Sequence, residues 1–383
     1  MIYLNNAATS YPKPLSVQDA MLDALQSSGG NPGRSVDSLT GKADDVVNHT
    51  RFLAAKMFGI SNPNHVIFTS SATEALNIAI LGTLKSGDHV ITSTMEHNSV
   101  TRPLYHLETQ EGVRVTKIPM DPIKGVDPDD IVAAITDDTK LVCLTHISNV
   151  TGTMNDIAEI GDICHKKNVR FLVDASQSAG THPIHMDSMN IDLLAMPGHK
   201  GLMGPSGTGL LCIGDHVDPA LLNPIKFGGT GVQSELPYQP IDLPFRYESG
   251  TLNVPGIAGL GAGIRFINET GMDNIFVHES FLMQMLLDWL SDIPSITIYG
   301  NLDATQKGAV LSINIDGMDP VDVAMILDTS FEIAVRPGLH CAPDAHRTIG
   351  TIDIGGTIRI SPGYFTTAEE IHAFIDAMKE ISE

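Results

Sequence analysis

The sequence predicts an α/β fold built on a mostly parallel sheet with helices on both faces. Short runs nearly continuous in Val, Ile and Leu recur through the first two thirds of the chain. Helical patterns separate them, as expected of strands buried on both sides. At 42% hydrophobic and 18% charged, the 383 residues can build a sizeable core and fall outside the disordered class.

The elements follow in order. Residues 65–69 read as the first strand, followed by a helical run from Thr73 to about Leu84. Further strands are expected at 89–92, 141–145, 170–174, 191–195 and 209–213. The run at 209–213 follows a Gly/Pro turn with no room for a helix, so an antiparallel partner is expected there. From Pro255 to about Leu290 the pattern is helical, with a break near Gly271 and Met272. Strands at 309–315 and 357–360 and an amphipathic helix over 368–381 then make a second, smaller α/β unit. No repeat or linker-like tract separates the two units, which predicts that they pack together.

Charge and cysteine usage narrow the function. Twenty-three basic residues against 45 acidic ones give a formal charge of −22, which argues against nucleic acid or an anionic membrane as the main partner. Apolar stretches are broken well short of the roughly 18 residues of a membrane span. The start, Met1 to Asn6, has neither the basic nor the apolar region of a secretion signal. The four cysteines, at 143, 164, 212 and 341, contain no Cys-x-x-Cys spacing and no zinc set. A cytoplasmic enzyme is expected.

In an open parallel sheet, ligands bind beyond the carboxyl ends of the strands. After the first strand comes Ser70-Ser71-Ala72-Thr73-Glu74, an S-x-x-E capping box whose helix N-terminus suits a phosphate. Taken alone it is an ordinary helix cap. Met95-Glu96-His97-Asn98-Ser99, His146-Ile147-Ser148-Asn149, Asp174-Ala175-Ser176-Gln177 and Gly198-His199-Lys200-Gly201 follow later strands. Each has a structural explanation: a lone His is more often structural, an Asp at a strand end caps a turn, and a loop Lys is solvated. Together they bring an anion cradle, an aromatic base, a carboxylate and a lysine to one crevice. Those are the parts that pyridoxal 5′-phosphate needs.

With these motifs the chain resembles the class V aminotransferase family of fold-type I pyridoxal-phosphate enzymes, specifically the cysteine desulfurases and their selenocysteine lyase relatives. The resemblance runs from Tyr3-Leu4-Asn5-Asn6-Ala7-Ala8-Thr9 to Gly356-Thr357-Ile358-Arg359-Ile360-Ser361 and includes Val335-Arg336-Pro337-Gly338-Leu339-His340-Cys341-Ala342. It implies a large domain with a mostly parallel seven-stranded sheet plus a smaller C-terminal α/β domain. The implied ranges are an N-terminal segment 1–15 packing with the small domain, a pyridoxal-phosphate domain 16–262, and a small domain 263–383 carrying the cysteine loop. Lys200 would form the Schiff base and shuttle the substrate Cα proton. Asp174 would keep the ring nitrogen protonated. Gln177 and Asn149 would hydrogen-bond around the ring and the substrate side of the cofactor. His97 would stack on the ring and move a proton. Ala72, Thr73 and His199 would bind the phosphate, joined by Thr251 of a neighbouring subunit, which implies a homodimer. Arg359 would fork onto the substrate α-carboxylate, with Arg336 nearby.

Cys341 decides the reaction expected. The other three cysteines sit in apolar strands or a helix, whereas Cys341 lies in a loop where His340 and Arg336 could favour the thiolate. The expected activity is a cysteine desulfurase that converts L-cysteine to L-alanine, carries a persulfide on Cys341 and passes sulfur to an acceptor protein. Selenocysteine lyase acting on L-selenocysteine, another C–S lyase, or a class V aminotransferase without sulfur chemistry are the alternatives. The chain departs from its relatives at Asn5, where Asp is frequent, at Pro197, where a phosphate-binding hydroxyl is frequent, and at Leu339, where many carry His. The string Gly256-x-x-Gly259-x-Gly261 lacks the context of a nucleotide loop and is read as helix packing.

Overall fold

The computed structural model describes residues 1–33 and 37–382. Residues 34–36 and 383, which the expected domain ranges include, lie outside the described residues.

Strand β1 (Ile2–Tyr3) precedes helices α1 (Leu15–Ser27) and α2 (Ser38–Phe58). The large sheet then takes β2 (Val66–Thr69), β3 (His89–Ser93), β4 (Arg114–Ile118), β5 (Thr139–Thr145), β6 (Arg170–Asp174), β7 (Leu193–Pro197) and β8 (Gly209–Ile213). Helices α3 (Ala72–Thr83), α4 (Asn98–Gln110), α5 (Pro128–Ala134) and α6 (Ile157–Lys167) lie between them. The seven strands are ordered β2-β8-β7-β6-β5-β3-β4. Pairing is parallel from β4 to β7, while β8 runs antiparallel to both β7 and β2, as the tight turn before it requires. Along β5, Leu141 and Cys143 enter one apolar cluster and Val142 and Leu144 the other. The sheet is therefore dry on both faces, which explains its unbroken apolar runs.

Two strands of the large sheet differ from expectation. The edge strand β4 reads Arg-Val-Thr-Lys-Ile, with Arg114 and Lys117 exposed. Charges of this kind protect a sheet edge and hide it from a search for apolar runs. The strand expected at 191–195 begins two residues later, because Asp192 turns its carboxylate to accept the Phe171 N–H at 2.7 Å.

The helical run expected to break near Gly271 and Met272 is two helices, α7 (Val254–Thr270) and α8 (Met272–Leu290), divided at Gly271 with φ of 88°. Helix α7 packs on α1 and α2, and a Cβ on Gly261 would lie 2.3 Å from Thr50 Oγ1. The glycine string is thus a packing face. Beyond α8 come β9 (Ile296–Tyr299), β10 (Leu311–Ile315), α9 (Pro320–Phe331), β11 (Ile333–Ala334), β12 (Arg336–Gly338), α10 (Pro343–Thr348), β13 (Thr357–Ile360) and α11 (Ala368–Ser382). An antiparallel sheet ordered β12-β13-β10-β9 centres a third apolar cluster. Strand β1 pairs with β11, Ile2 beside Ile333. Among the described residues, no helix is long and apolar enough to cross a membrane.

Candidate active site

The carboxyl ends of β2, β3, β5, β6 and β7 surround a cavity of about 220 Å³. Lys200 enters it from the loop after β7. That loop is tied down through its backbone: Gly204 N–H donates to Gly198 O at 2.8 Å, Lys13 Nζ to His199 O at 2.7 Å, and Ser10 Oγ to Lys200 O at 2.9 Å. Lys200 Nζ itself makes no hydrogen bond to a described residue. Burial, assisted by Arg359 and Arg336 and opposed by Asp174, pushes its pKa down to about 8. A lysine so placed can lose its proton near neutral pH.

Asp174, the last residue of β6, is buried and accepts the Ser176 N–H on Oδ1 at 2.9 Å. It lines the cavity with Gln177 and Asn149. Gln177 Nε2 donates to Ala7 O at 3.1 Å, and Asn149 Nδ2 donates to His340 O at 2.7 Å. Each amide thus joins the large sheet to another part of the chain.

The opposite side is the N-terminus of α3. Ser71 caps it by accepting the Glu74 N–H at 3.2 Å, while Glu74 takes the Ser70 N–H at 2.7 Å. The N–H groups of Ala72 and Thr73 have no partner among the described residues and lie where the helix dipole favours an anion. Thr73 Oγ1 meets Ser99 Oγ at 2.8 Å. His199 lines this end too, and its buried Nδ1 has no hydrogen-bond partner. Gly209 permits the arrangement, since a Cβ there would lie 2.6 Å from the Ser71 carbonyl carbon.

His97 caps α4 by accepting the Ser99 N–H on Nδ1 at 3.0 Å. Its proton therefore resides on Nε2. Burial, with Lys200, Arg336 and Arg359 adding to it, holds its pKa near about 4, so the ring is neutral. Glu96 beside it is fully buried, and burial raises its pKa to about 8.

Arg359, from β13, is 1% exposed. Nη1 donates to Asn149 O at 3.1 Å and Nη2 to Asn5 Oδ1 at 3.2 Å, while buried Nε has no partner. With an amide at Asn5 instead of a carboxylate, no described side chain forms an ion pair with this guanidinium. Arg336 also lines the cavity and donates to Cys341 Sγ at 3.2 Å. Cys341 is exposed and follows His340 through two successive left-handed residues, φ 49° and 60°. Asn98 N–H holds its carbonyl at 2.8 Å.

Ten of the twelve expected site residues line this one cavity: Lys200, Asp174, Asn149, Gln177, Arg336 and Arg359, with Ala72, Thr73, His97 and His199. The other two do not. Thr251 is exposed near Asn31 of the same chain, 3.5 Å from its Nδ2, and Cys341 lines a groove adjoining the cavity. One expectation is corrected. His340 does not assist the thiol, because its ring is buried with Nε2 on Thr357 Oγ1 at 2.9 Å and packs against His346. Burial holds its pKa near about 2. Sequence reasoning missed Ser99, Lys13, Ala7 and the Asn5 contact to Arg359. Only the helix-start position of Ser99 carried a local signal.

A carboxylate, a partnerless lysine, two free helix N–H groups and an orphaned imidazole nitrogen form a donor set that fits a phosphorylated pyridine aldehyde, pyridoxal 5′-phosphate. Comparisons with known proteins agree. The profile of the Aminotransferase class-V family matches residues 2–374. A probable cysteine desulfurase of Methanothermobacter thermautotrophicus is 38% identical over 384 residues, spanning 100% of this chain and 94% of the relative. Another, from Halalkalibacterium halodurans, is 32% identical over 389 residues, spanning 100% and 93%. The solved apo structure of the cysteine desulfurase from Thermococcus onnurineus NA1 matches with a TM-score of 0.92 at 33% identity, covering 100% of this chain and 94% of that one. The architecture is that of the fold-type I enzymes, and the chain belongs to the class V aminotransferase family.

Proposed function

We propose that the protein is a pyridoxal 5′-phosphate-dependent cysteine desulfurase, converting L-cysteine to L-alanine and carrying the sulfur as a persulfide on Cys341. The observation that supports this most is the exposed Cys341 thiol, held by Arg336 beside a cavity with a free lysine and a buried arginine. The relatives' names support the same reading.

Pyridoxal phosphate supplies an electron sink for the substrate Cα. The chain's own groups do the rest. Lys200 Nζ holds the cofactor and moves the Cα proton. Asp174 keeps a proton on the ring nitrogen, and His97 Nε2–H and the amides of Gln177 and Asn149 orient the ring. Ala72 and Thr73 N–H, His199 Nδ1 and Thr251 of a second copy hold the phosphate. Arg359, lacking a carboxylate partner of its own, takes the substrate α-carboxylate. Cys341 Sγ, held by the Arg336 guanidinium at 3.2 Å, attacks the substrate sulfur. The substrate C–S bond breaks and its Cβ gains a proton, giving alanine. The sulfur then passes to an acceptor protein.

The domain division at 1–15, 16–262 and 263–383, the homodimer and a cytoplasmic location belong to the same proposal. Incubating the protein with L-cysteine and measuring alanine and protein persulfide tests it. Keto-acid formation without persulfide would establish transamination instead, and turnover confined to L-selenocysteine would establish a selenocysteine lyase.

A further inference from the structure

Cys341 opens into a groove of about 480 Å³ on the outer side of the cofactor cavity. Thr73, His97 and Ser99 are common to both spaces and form the wall between them. One wall of the groove is α3, through Asn77 and Leu81. The other is α4, through Asn98, Arg102 and His106, which recur every four residues and make one stripe along the helix. The stripe starts at the residue whose N–H holds the Cys341 carbonyl. Arg102 stands one turn further, about 6 Å along the axis, and His106 one turn beyond that.

The charge of this groove opposes that of the molecule. Acidic residues outnumber basic ones 45 to 23 over the chain, yet none lines the groove. Arg102 is exposed and makes no ion pair or side-chain hydrogen bond with a described residue. An unpaired guanidinium one helical turn from the head of the groove is suited to a carboxylate borne a few atoms from an incoming sulfur.

Building on the desulfurase reading, we propose that this groove is the sulfur-acceptor site and that it selects a thiol carrying negative charge beside its sulfur, with Arg102 as the anion contact. The acceptor thiolate attacks the outer sulfur of the Cys341 persulfide. A new S–S bond forms to the acceptor, the old one breaks, and its electron pair returns to Cys341 Sγ as thiolate. The acceptor's thiol proton goes to solvent, and no external oxidant or reductant is needed.

The test uses the cofactor-loaded protein, charged with L-cysteine in one turnover and then mixed with 3-mercaptopropionate, 2-mercaptoethanol or cysteamine. Discharge is normalised to the persulfide formed, and each thiol serves as its own control between wild type and variant. Arg102→Ala is expected to slow discharge to 3-mercaptopropionate about fivefold, the scale of one exposed charge contact, and to leave 2-mercaptoethanol unaffected. Arg102→Lys restores most of the loss, Arg102→Glu shifts the preference toward cysteamine, and added salt compresses the differences. Equal changes for all three thiols, or none for any, would overturn the acceptor site while leaving the desulfurase reading intact. Absence of any persulfide in wild type would overturn both.

Discussion

At Cys341 one cation touches the sulfur, while Lys200 and Arg359 act on it through space. Arg336 is the guanidinium in contact with the sulfur, since His340 is neutral and turned into the protein. Arg336→Ala, which removes this contact, should therefore slow persulfide formation on Cys341 after mixing with L-cysteine, by up to about tenfold. Arg336→Lys should recover part of the rate, and an unchanged rate in both variants would remove Arg336 from the account. Lys200→Ala should abolish turnover and the borohydride-fixable cofactor. Most of these residues were legible in the sequence: Lys200 and Asp174 stand in motifs at strand ends, whereas Arg359, inside β13, was reached only through the family resemblance. The pairing of Arg336 with the thiol was half legible. Sequence put His340 and Arg336 near Cys341, but only the left-handed turn at 340–341 decides which of them faces the sulfur.

Among the elements, helix α3 does most to shape the cofactor site. Its free N–H groups depend on the Ser71 cap and on the close approach of β8 at Gly209. Ser71→Ala should cost about 1 kcal/mol of stability by thermal denaturation. Gly209→Ala should be worse, because its methyl group meets backbone that cannot swing aside, and cofactor affinity should fall along with stability. A Gly209→Ala protein binding pyridoxal phosphate as tightly as wild type would separate the cap from the phosphate site. The capping box was plain in the sequence. The need for glycine at 209 was not, since it arises from the antiparallel register that sets Gly209 beside Thr69. Strand β4 was missed for a related reason: its charges serve the edge position, which only the assembled sheet defines.

Over the whole molecule, burial leaves His97, His146, His182, His199, His340 and His346 with pKa values held down to between about 2 and about 4. Unfolded, they would bind protons from about pH 6.5 downward. The unfolded state thus binds more protons over that window, so stability falls as pH falls from about 6.5 toward 4. Glu96 and Glu279, raised to about 8, act in the opposite sense as pH rises from about 4.5, but they are outnumbered below pH 6.5. Thermal denaturation followed from pH 7 to 4.5 should show a falling midpoint, and a rising one would contradict the burial described. The proposed homodimer would act at this scale too: Thr251 does not line its own chain's cavity, so in such a dimer Thr251→Ala should weaken cofactor binding only through a partner subunit.

Everything proposed for the site turns on sulfur leaving L-cysteine onto Cys341. That transfer is tested most directly by mass spectrometry of the cofactor-loaded protein after one turnover with L-cysteine, wild type beside Cys341→Ala. The expected result is one added sulfur on the peptide containing Cys341, alanine in matching amount, and neither product from the variant, although the variant still binds cofactor. Alanine and sulfide released by Cys341→Ala at the wild-type rate would contradict it.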